Sequence, residues 1–255
     1  MSNNAQRFNP RNTNRKDKKV AGASPHQPKQ KWEEDRQERS QTKKIQPINS
    51  KQKLYQHMLE SLTLIVADGP AGVGKTLLPC NHAATLLLAK KIDQIVLVRP
   101  YAATGSKTMG YNKGNLNDKI LPFMLPMIGY IKDVLGAATV DIMMEDGRIL
   151  IQPLETIRGQ SFKNAYVVAD EMQSAEIAEI QALTTRIGED CTLVICGDKR
   201  QNDVKKGVDG ITYIKNILDS YDIRDSGVIE FTMEDCCRSG ICKDFLLAYE
   251  QEGWV

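Results

Sequence analysis

The sequence predicts an α/β domain over residues 46–255, a mainly parallel sheet with helices on both faces, preceded by a disordered basic tail over residues 1–45. Three features carry that expectation. From Gln46 onward, short β-branched runs alternate with amphipathic stretches, as in a sheet whose parallel strands are joined by crossover helices. One run opens straight into Gly69-Pro70-Ala71-Gly72-Val73-Gly74-Lys75-Thr76 and then a helical pattern. Another, Tyr166-Val167-Val168-Ala169, ends in the carboxylates Asp170-Glu171.

Residues 1–45 are rich in Asn, Gln, Lys, Arg and Pro and poor in Val, Ile and Leu. They have too little apolar surface to offset the entropy of ordering, although Lys31 to Lys44 would suit a charged helix. The formal net charge of +2 hides an asymmetry: residues 1–50 hold 12 Lys and Arg against 5 Asp and Glu, leaving 22 against 27 for the rest. A tail of +7 on a body of −5 means that attraction to a polyanion would come from the tail or from local patches.

Strands are expected at Leu62–Asp68, Gln94–Arg99, Ala165–Asp170, Thr192–Gly197 and Val228–Thr232, from their β-branched content and bounding turn residues. Helices are expected at Lys75–Lys90, Asn117–Leu135, Ser174–Ile187, Gly207–Tyr221 and Lys243–Gln251. Thr139–Gln152 reads as a hairpin turning at Asp146-Gly147.

The Gly69–Thr76 segment has the P-loop pattern in the required strand-to-helix context. Its glycines let successive backbone N–H groups curl toward a phosphate, and the following helix adds positive potential. Lys75 would then reach the β- and γ-phosphate oxygens, and the Thr76 hydroxyl would ligate Mg²⁺. Asp170 is expected on the Mg²⁺ side and Glu171 as the base that orients water, the other reading being plain helix N-terminal charges. A third run, Leu193–Cys196, leads into Gly197-Asp198-Lys199-Arg200-Gln201, where Gln201 would sense the γ-phosphate or orient water.

The six cysteines lack paired C-x-x-C spacing and the density of a disulfide scaffold, which suits a reducing cytoplasm. Neither a signal-peptide core nor an uninterrupted apolar run of about 18 residues is present, so no membrane association is expected.

Gly69–Thr76, Asp170-Glu171 and Gly197-Asp198-x-x-Gln201 together resemble the RecA-like ATPase core of superfamily 1 helicases. The fuller pattern over about residues 45–250 resembles the PhoH family: Arg99-Pro100, Gly110, Gly114-Asn115-Leu116, Lys119, Ile157-Arg158-Gly159 and Leu183–Gly188. The resemblance implies ATP with Mg²⁺ as cofactors. Asn49 and Gln52 are similar to the helicase Q-motif, whose glutamine amide would read adenine; a solvated glutamine is the other reading. Glu234–Arg238 is similar to the segment closing the family's last strand, with Cys236-Cys237 replacing its usual valines. Gln160-Ser161 departs from the arginine-threonine pair common there, and the Arg99–Gly114 loop is one residue longer and lacks the usual glutamate.

A superfamily 1 helicase closes its site with arginines from a second RecA-like domain, for which no chain remains after Val255. The expectation is a ring or head-to-tail oligomer, a hexamer, in which a neighbour supplies a guanidinium worth roughly 10³–10⁵ in rate. Arg186 is the first choice, with Arg158 and Arg238 as alternatives. The leading expectation is an ATPase acting on RNA or another single-stranded nucleic acid through the tail and through Lys107, Tyr111 and Lys113. An ATP-dependent assembly or adaptor switch recruiting an RNA-processing partner stands beside it. The Asn-Lys-x-Asp step of a GTPase and the arginine lid of a small-molecule kinase are not evident.

Overall fold

The computed structural model describes residues 45–101, 116–201 and 208–252. Six strands form one parallel sheet in the order β3-β2-β4-β5-β1-β6. They are β1 Leu64–Asp68, β2 Gln94–Arg99, β3 Ile149–Pro153, β4 Ala165–Ala169, β5 Thr192–Gly197 and β6 Ser226–Glu230. The described helices are α1 Ser50–Ser61, α2 Leu77–Leu88, α3 Leu116–Leu135, α4 Ala137–Glu145, α5 Ile177–Thr184, α6 Gly210–Ser220 and α7 Ile241–Gln251.

The chain steps one way across the sheet from β1 to β2 to β3, then reverses through β4, β5 and β6. Right-handed crossovers send successive helices to one face while the chain moves one way and to the other face after it turns back. Two apolar cores result, sorted by alternation along each strand. Ile65, Ala67, Ile95, Leu97 and Val168 pack with α1, α2, α3 and α4. Val66, Val96, Val98, Val167 and Ile195 pack with α5 and α6. Strands buried on both sides must be apolar at every position, which is why they read as continuous β-branched runs.

Register brings the functional ends together. Asp68 pairs with Gly197 and Glu230, and Ala169 with Ile195 and Val98. The residues following β1, β4 and β5 therefore emerge along one edge, with β5 lying between the strand that feeds the phosphate loop and the strand that ends at Asp170.

Asp68 anchors that edge. It is 2% exposed and accepts from Lys215 Nζ at 2.7 Å and from the Lys199 backbone N–H at 3.1 Å. Burial alone would lower the pKa of Lys215, but the Asp68 and Glu230 carboxylates outweigh it and hold the ammonium charged. Lys215→Met leaves a buried carboxylate short of its main counter-charge and is expected to destabilise the domain by about 3 kcal/mol. Urea denaturation checks this, an unchanged midpoint being the contrary result.

Three expectations need correction. Thr139–Gln152 is not a hairpin but α4 followed by β3, an edge strand parallel to β2. Asp146-Gly147 closes a helix: Asp146 and Gly147 N–H groups donate back to Ile142 and Met144 O, and Arg148 N–H to Met143 O, with Gly147 at φ +72. A glycine that ends a helix and one that turns a hairpin share the same left-handed signal. Helix α1 is additional to the expected set, although Asn49 caps it by accepting from Gln52 N–H at 2.8 Å and Gln52, Tyr55 and Leu59 form its buried stripe. The last strand begins and ends two residues earlier than expected, because Phe231 is already turning over the phosphate loop, with its carbonyl 2.7 Å from where a Gly69 Cβ would stand. Lys31–Lys44, Lys107, Gly110, Tyr111, Lys113 and Gly114-Asn115 lie outside the described residues. Among those residues no single helix is long and apolar enough to cross a membrane.

Candidate active site

A cleft of about 540 Å³ opens at the C-terminal edge of the sheet, lined among others by Gln52, Gly72, Gly74, Lys75, Thr76, Arg99, Asp170, Glu171, Asp198, Gln201 and Arg238. Open parallel sheets bind ligands at this edge, and the volume suits a nucleotide.

The loop leaving β1 is tied down at Gly69, whose N–H donates to Gly197 O at 3.1 Å. It then curls through Pro70, Ala71, Gly72, Val73 and Gly74 into α2. Gly72 (φ +84) and Gly74 (φ +93) hold left-handed backbone that a side chain strains. A Cβ at Gly72 would also stand 2.5 Å from Arg238 Cγ, because Cys237 N–H donates to Gly72 O at 3.0 Å and brings Arg238 across the loop. Gly72→Ala is therefore expected to displace Arg238 and weaken nucleotide binding by about tenfold, from strain of order 1–2 kcal/mol. Isothermal titration checks this; unchanged affinity would show that the loop tolerates the side chain.

Lys75 Nζ donates to the carbonyls of Gly69 and Pro70, the latter at 2.7 Å, so the ammonium lies over the loop's concave side. Its own carbonyl accepts from Tyr55 OH at 2.9 Å and Cys196 Sγ at 3.1 Å, which fixes the start of α2 from beneath. Burial pushes the Cys196 thiol well above its usual range, so it acts there as a neutral donor.

Thr76 Oγ1 donates to Asp170 Oδ1 at 2.9 Å. Burial, and then the neighbouring Glu171, push the Asp170 carboxyl above its usual range, opposed by Arg99 and Thr76. A buried carboxylate beside a hydroxyl at a phosphate loop is the donor set a divalent cation would relieve. Among the described residues no three His, Cys, Asp or Glu side chains form a self-contained metal cage, so such an ion would need phosphate and water oxygens as well.

Glu171 is half-exposed and sits in left-handed backbone at φ +56, a rare conformation for a non-glycine residue. Its carboxylate is held on both sides. Gln173 Nε2 donates to Oε2 at 2.6 Å, and Arg99 Nη2 lies 3.4 Å from Oε1. Arg99 in turn donates through Nη1 to Phe123 O at 2.7 Å, on the α3 turn interrupted by Pro122 and Pro126. Gln173 Oε1 accepts from Asp198 N–H at 3.2 Å, and Gln201 Nε2 donates to Asp198 Oδ2 at 3.2 Å. Burial raises the Asp198 carboxyl, against the Arg200 N–H and Lys75 that lower it.

Thus Gln52, Gly72, Gly74, Lys75, Thr76, Asp170, Glu171, Gln201 and Arg238 share one cleft. Arg186 and Arg158 do not line it. Arg186 lies at the other end of the sheet, where its carbonyl accepts from Phe162 N–H ahead of β4. From the sequence alone Gln173 and Tyr130 have no expected site role, Asp198 is expected only as a carboxylate at a ligand-binding strand end, and Arg99 only as part of a family pattern. Arg99 closes β2 and Asp198 directly follows β5, both at the ligand edge, a signal that was available; Gln173 and Tyr130 reach the cleft only through tertiary packing.

The pattern of the family described as PhoH-like protein matches residues 44–250. The protein PhoH of Escherichia coli K12 is 33% identical over 211 residues, which cover 82% of this chain and 59% of that protein. A PhoH-like protein of Bacillus subtilis is 32% identical over 222 residues, 87% of this chain and 69% of that one. The chain thus spans about three fifths of the length of the Escherichia coli relative. Among solved structures, the large terminase of a thermophilic bacteriophage superimposes with a TM-score of 0.50 at 13% identity, over 79% of this chain and 50% of that one, a likeness of fold alone.

Proposed function

The chain belongs to the PhoH-like protein family, and from that premise we propose that it is a Mg²⁺-dependent ATPase coupled to RNA or another single-stranded nucleic acid, working in the cytoplasm as a ring. Its fold is that of a nucleotide-binding P-loop ATPase. The observation that carries hydrolysis is the meeting, in one cleft, of Lys75, the Thr76–Asp170 pair and Glu171.

In this reading the loop amides and Lys75 hold the β- and γ-phosphates, and Thr76 and Asp170 would hold Mg²⁺, which neutralises developing phosphate charge when bound. Glu171 accepts the proton of the attacking water, and Gln201 orients that water. Arg238 approaches from within the same chain. Arg186, remote from its own cleft, would act only on a neighbour's, as a ring with composite sites requires; the ring and its subunit count of six come from family resemblance. The basic tail would give salt-sensitive attraction to nucleic acid.

Steady-state ATP hydrolysis across a protein dilution series, with and without single-stranded RNA and DNA, tests the reading. Turnover per chain that falls on dilution and rises with nucleic acid supports it. Recovery of activity on mixing Lys75→Ala with Arg186→Ala would place Arg186 in its neighbour's site. Turnover indifferent to nucleic acid would replace the coupled ATPase by a nucleotide-dependent assembly switch.

A further inference from the structure

We propose that Gln52 is a strut of the phosphate loop rather than a reader of the base, and that the site accepts nucleoside triphosphates with little regard to the base they carry; this rests on the cleft being a triphosphate site.

A primary amide offers two N–H donors and two carbonyl lone pairs. At Gln52 three of the four are engaged within the chain. Nε2 donates to Val73 O at 2.9 Å and to Cys237 Sγ at 3.1 Å, while Oε1 accepts from Ile48 N–H at 2.9 Å. The amide orientation follows from the network: turned over, it would set N–H against N–H at Ile48 and oxygen against oxygen at Val73. The side chain is 4% exposed, and a Cβ on Gly74 would stand 3.0 Å from Nε2, so the amide lies directly against the loop.

Reading the adenine edge takes one donor and one acceptor together, and Gln52 has one lone pair left. Swinging the amide toward a base would leave the buried Val73 carbonyl unpaired, at a cost of about 5- to 150-fold in the binding equilibrium, while the exposed Ile48 N–H would turn to water. A bidentate amide–adenine pair discriminates by about the same factor, so the exchange brings no net gain. Asn49 is committed in the same way: Oδ1 caps α1 and Nδ2 donates to Asp235 O at 3.2 Å. The two amides pin the N-terminus of α1, the phosphate loop and the 235–237 segment to one another. The remaining lining includes apolar Ile45, Leu78, Pro126 and Tyr130, which suit the face of any base, and Gln46, which is exposed and competes with water.

The test is kcat/KM for ATP, GTP, CTP and UTP with wild type, Gln52→Leu and Gln52→Ala, alongside thermal unfolding. The two purine nucleotides are expected to lie within about fivefold of each other, the lower limit of what a bidentate pair would give. The variants are expected to lower turnover of every nucleotide by a common factor and to unfold at lower temperature. A wild-type preference for ATP above about fivefold overturns the inference, and its collapse in Gln52→Leu would assign the discrimination to that amide. Should the variants fail to fold, competition of GTP against a fluorescent ATP analogue on wild type decides: comparable displacement supports the inference, and failure to displace overturns it. Wild type that binds no triphosphate removes the triphosphate reading and the inference with it, an outcome distinct from tight but ATP-selective binding.

Discussion

Glu171→Gln is expected to leave nucleotide bound and almost unhydrolysed. The carboxylate is half-exposed and held from two sides, by Gln173 at 2.6 Å and Arg99 at 3.4 Å. An amide of the same shape still accepts from Gln173 through its oxygen, although its NH2 then faces Arg99 Nη2 and the ion pair is lost, and it cannot take a proton from water. Turnover should fall by about 10²–10⁴, the range for a lost general base, with nucleotide affinity within severalfold of wild type. Single-turnover phosphate release and equilibrium titration separate the two. Turnover near the wild-type rate would move the proton acceptor elsewhere, with Asp198, joined to Glu171 through Gln173, as the alternative carboxylate. The backbone strain at φ +56 adds a second readout. Glu171→Gly removes it and is expected to be as stable as wild type or up to about 1 kcal/mol more so, while inactive, as befits strain retained for chemistry rather than folding.

Lys75→Ala should remove turnover by a different route, through affinity and transition-state charge together. Its ammonium is the only lysine lining the cleft among the described residues, and it already lies across the loop carbonyls of Gly69 and Pro70. Losing a positioned cationic donor at a developing phosphate charge costs about 10²–10³ in rate, and each charge-assisted hydrogen bond about 1.5–3 kcal/mol in binding. Affinity should therefore fall at least tenfold, in contrast with Glu171→Gln. Unfolding should move by no more than about 1 kcal/mol, since Gly69 and Pro70 can turn their carbonyls to water. Retained affinity and rate in a folded Lys75→Ala protein would refute the phosphate assignment.

The phosphate loop was legible in the sequence because its eight residues are contiguous and the chemistry dictates each glycine. Asp170 and Glu171 were legible because a strand buried on both faces is unmistakable and its end must face the ligand edge. Sequence could not supply the partners. Gln173 meets Glu171 only because a short turn follows a left-handed residue, and Arg99 reaches it only because β2 lies beside β4 in the sheet. Gln52 was legible as a position but not as a role, since its commitment to Val73 O and Cys237 Sγ depends on contacts 21 and 185 residues away. The missing strand β3 and helix α4 share one cause: Asp146-Gly147 carries the same signal for ending a helix as for turning a hairpin.

Helix α7 has no buried residue, and Phe245 and Tyr249 on it stack against each other at 5.8 Å. The segment just before it is fastened to the phosphate loop by Cys237 N–H on Gly72 O. The helix amides should therefore exchange with deuterium through local opening at low free energy, whereas the Cys237 amide should exchange only with the sheet itself. A protease given limited time is expected to nick the chain within 241–251 and leave Arg238 seated, the helix opening as a unit that gives up the Arg200–Glu250 ion pair and the packing of Leu246 but not the Cys237–Gly72 fastening.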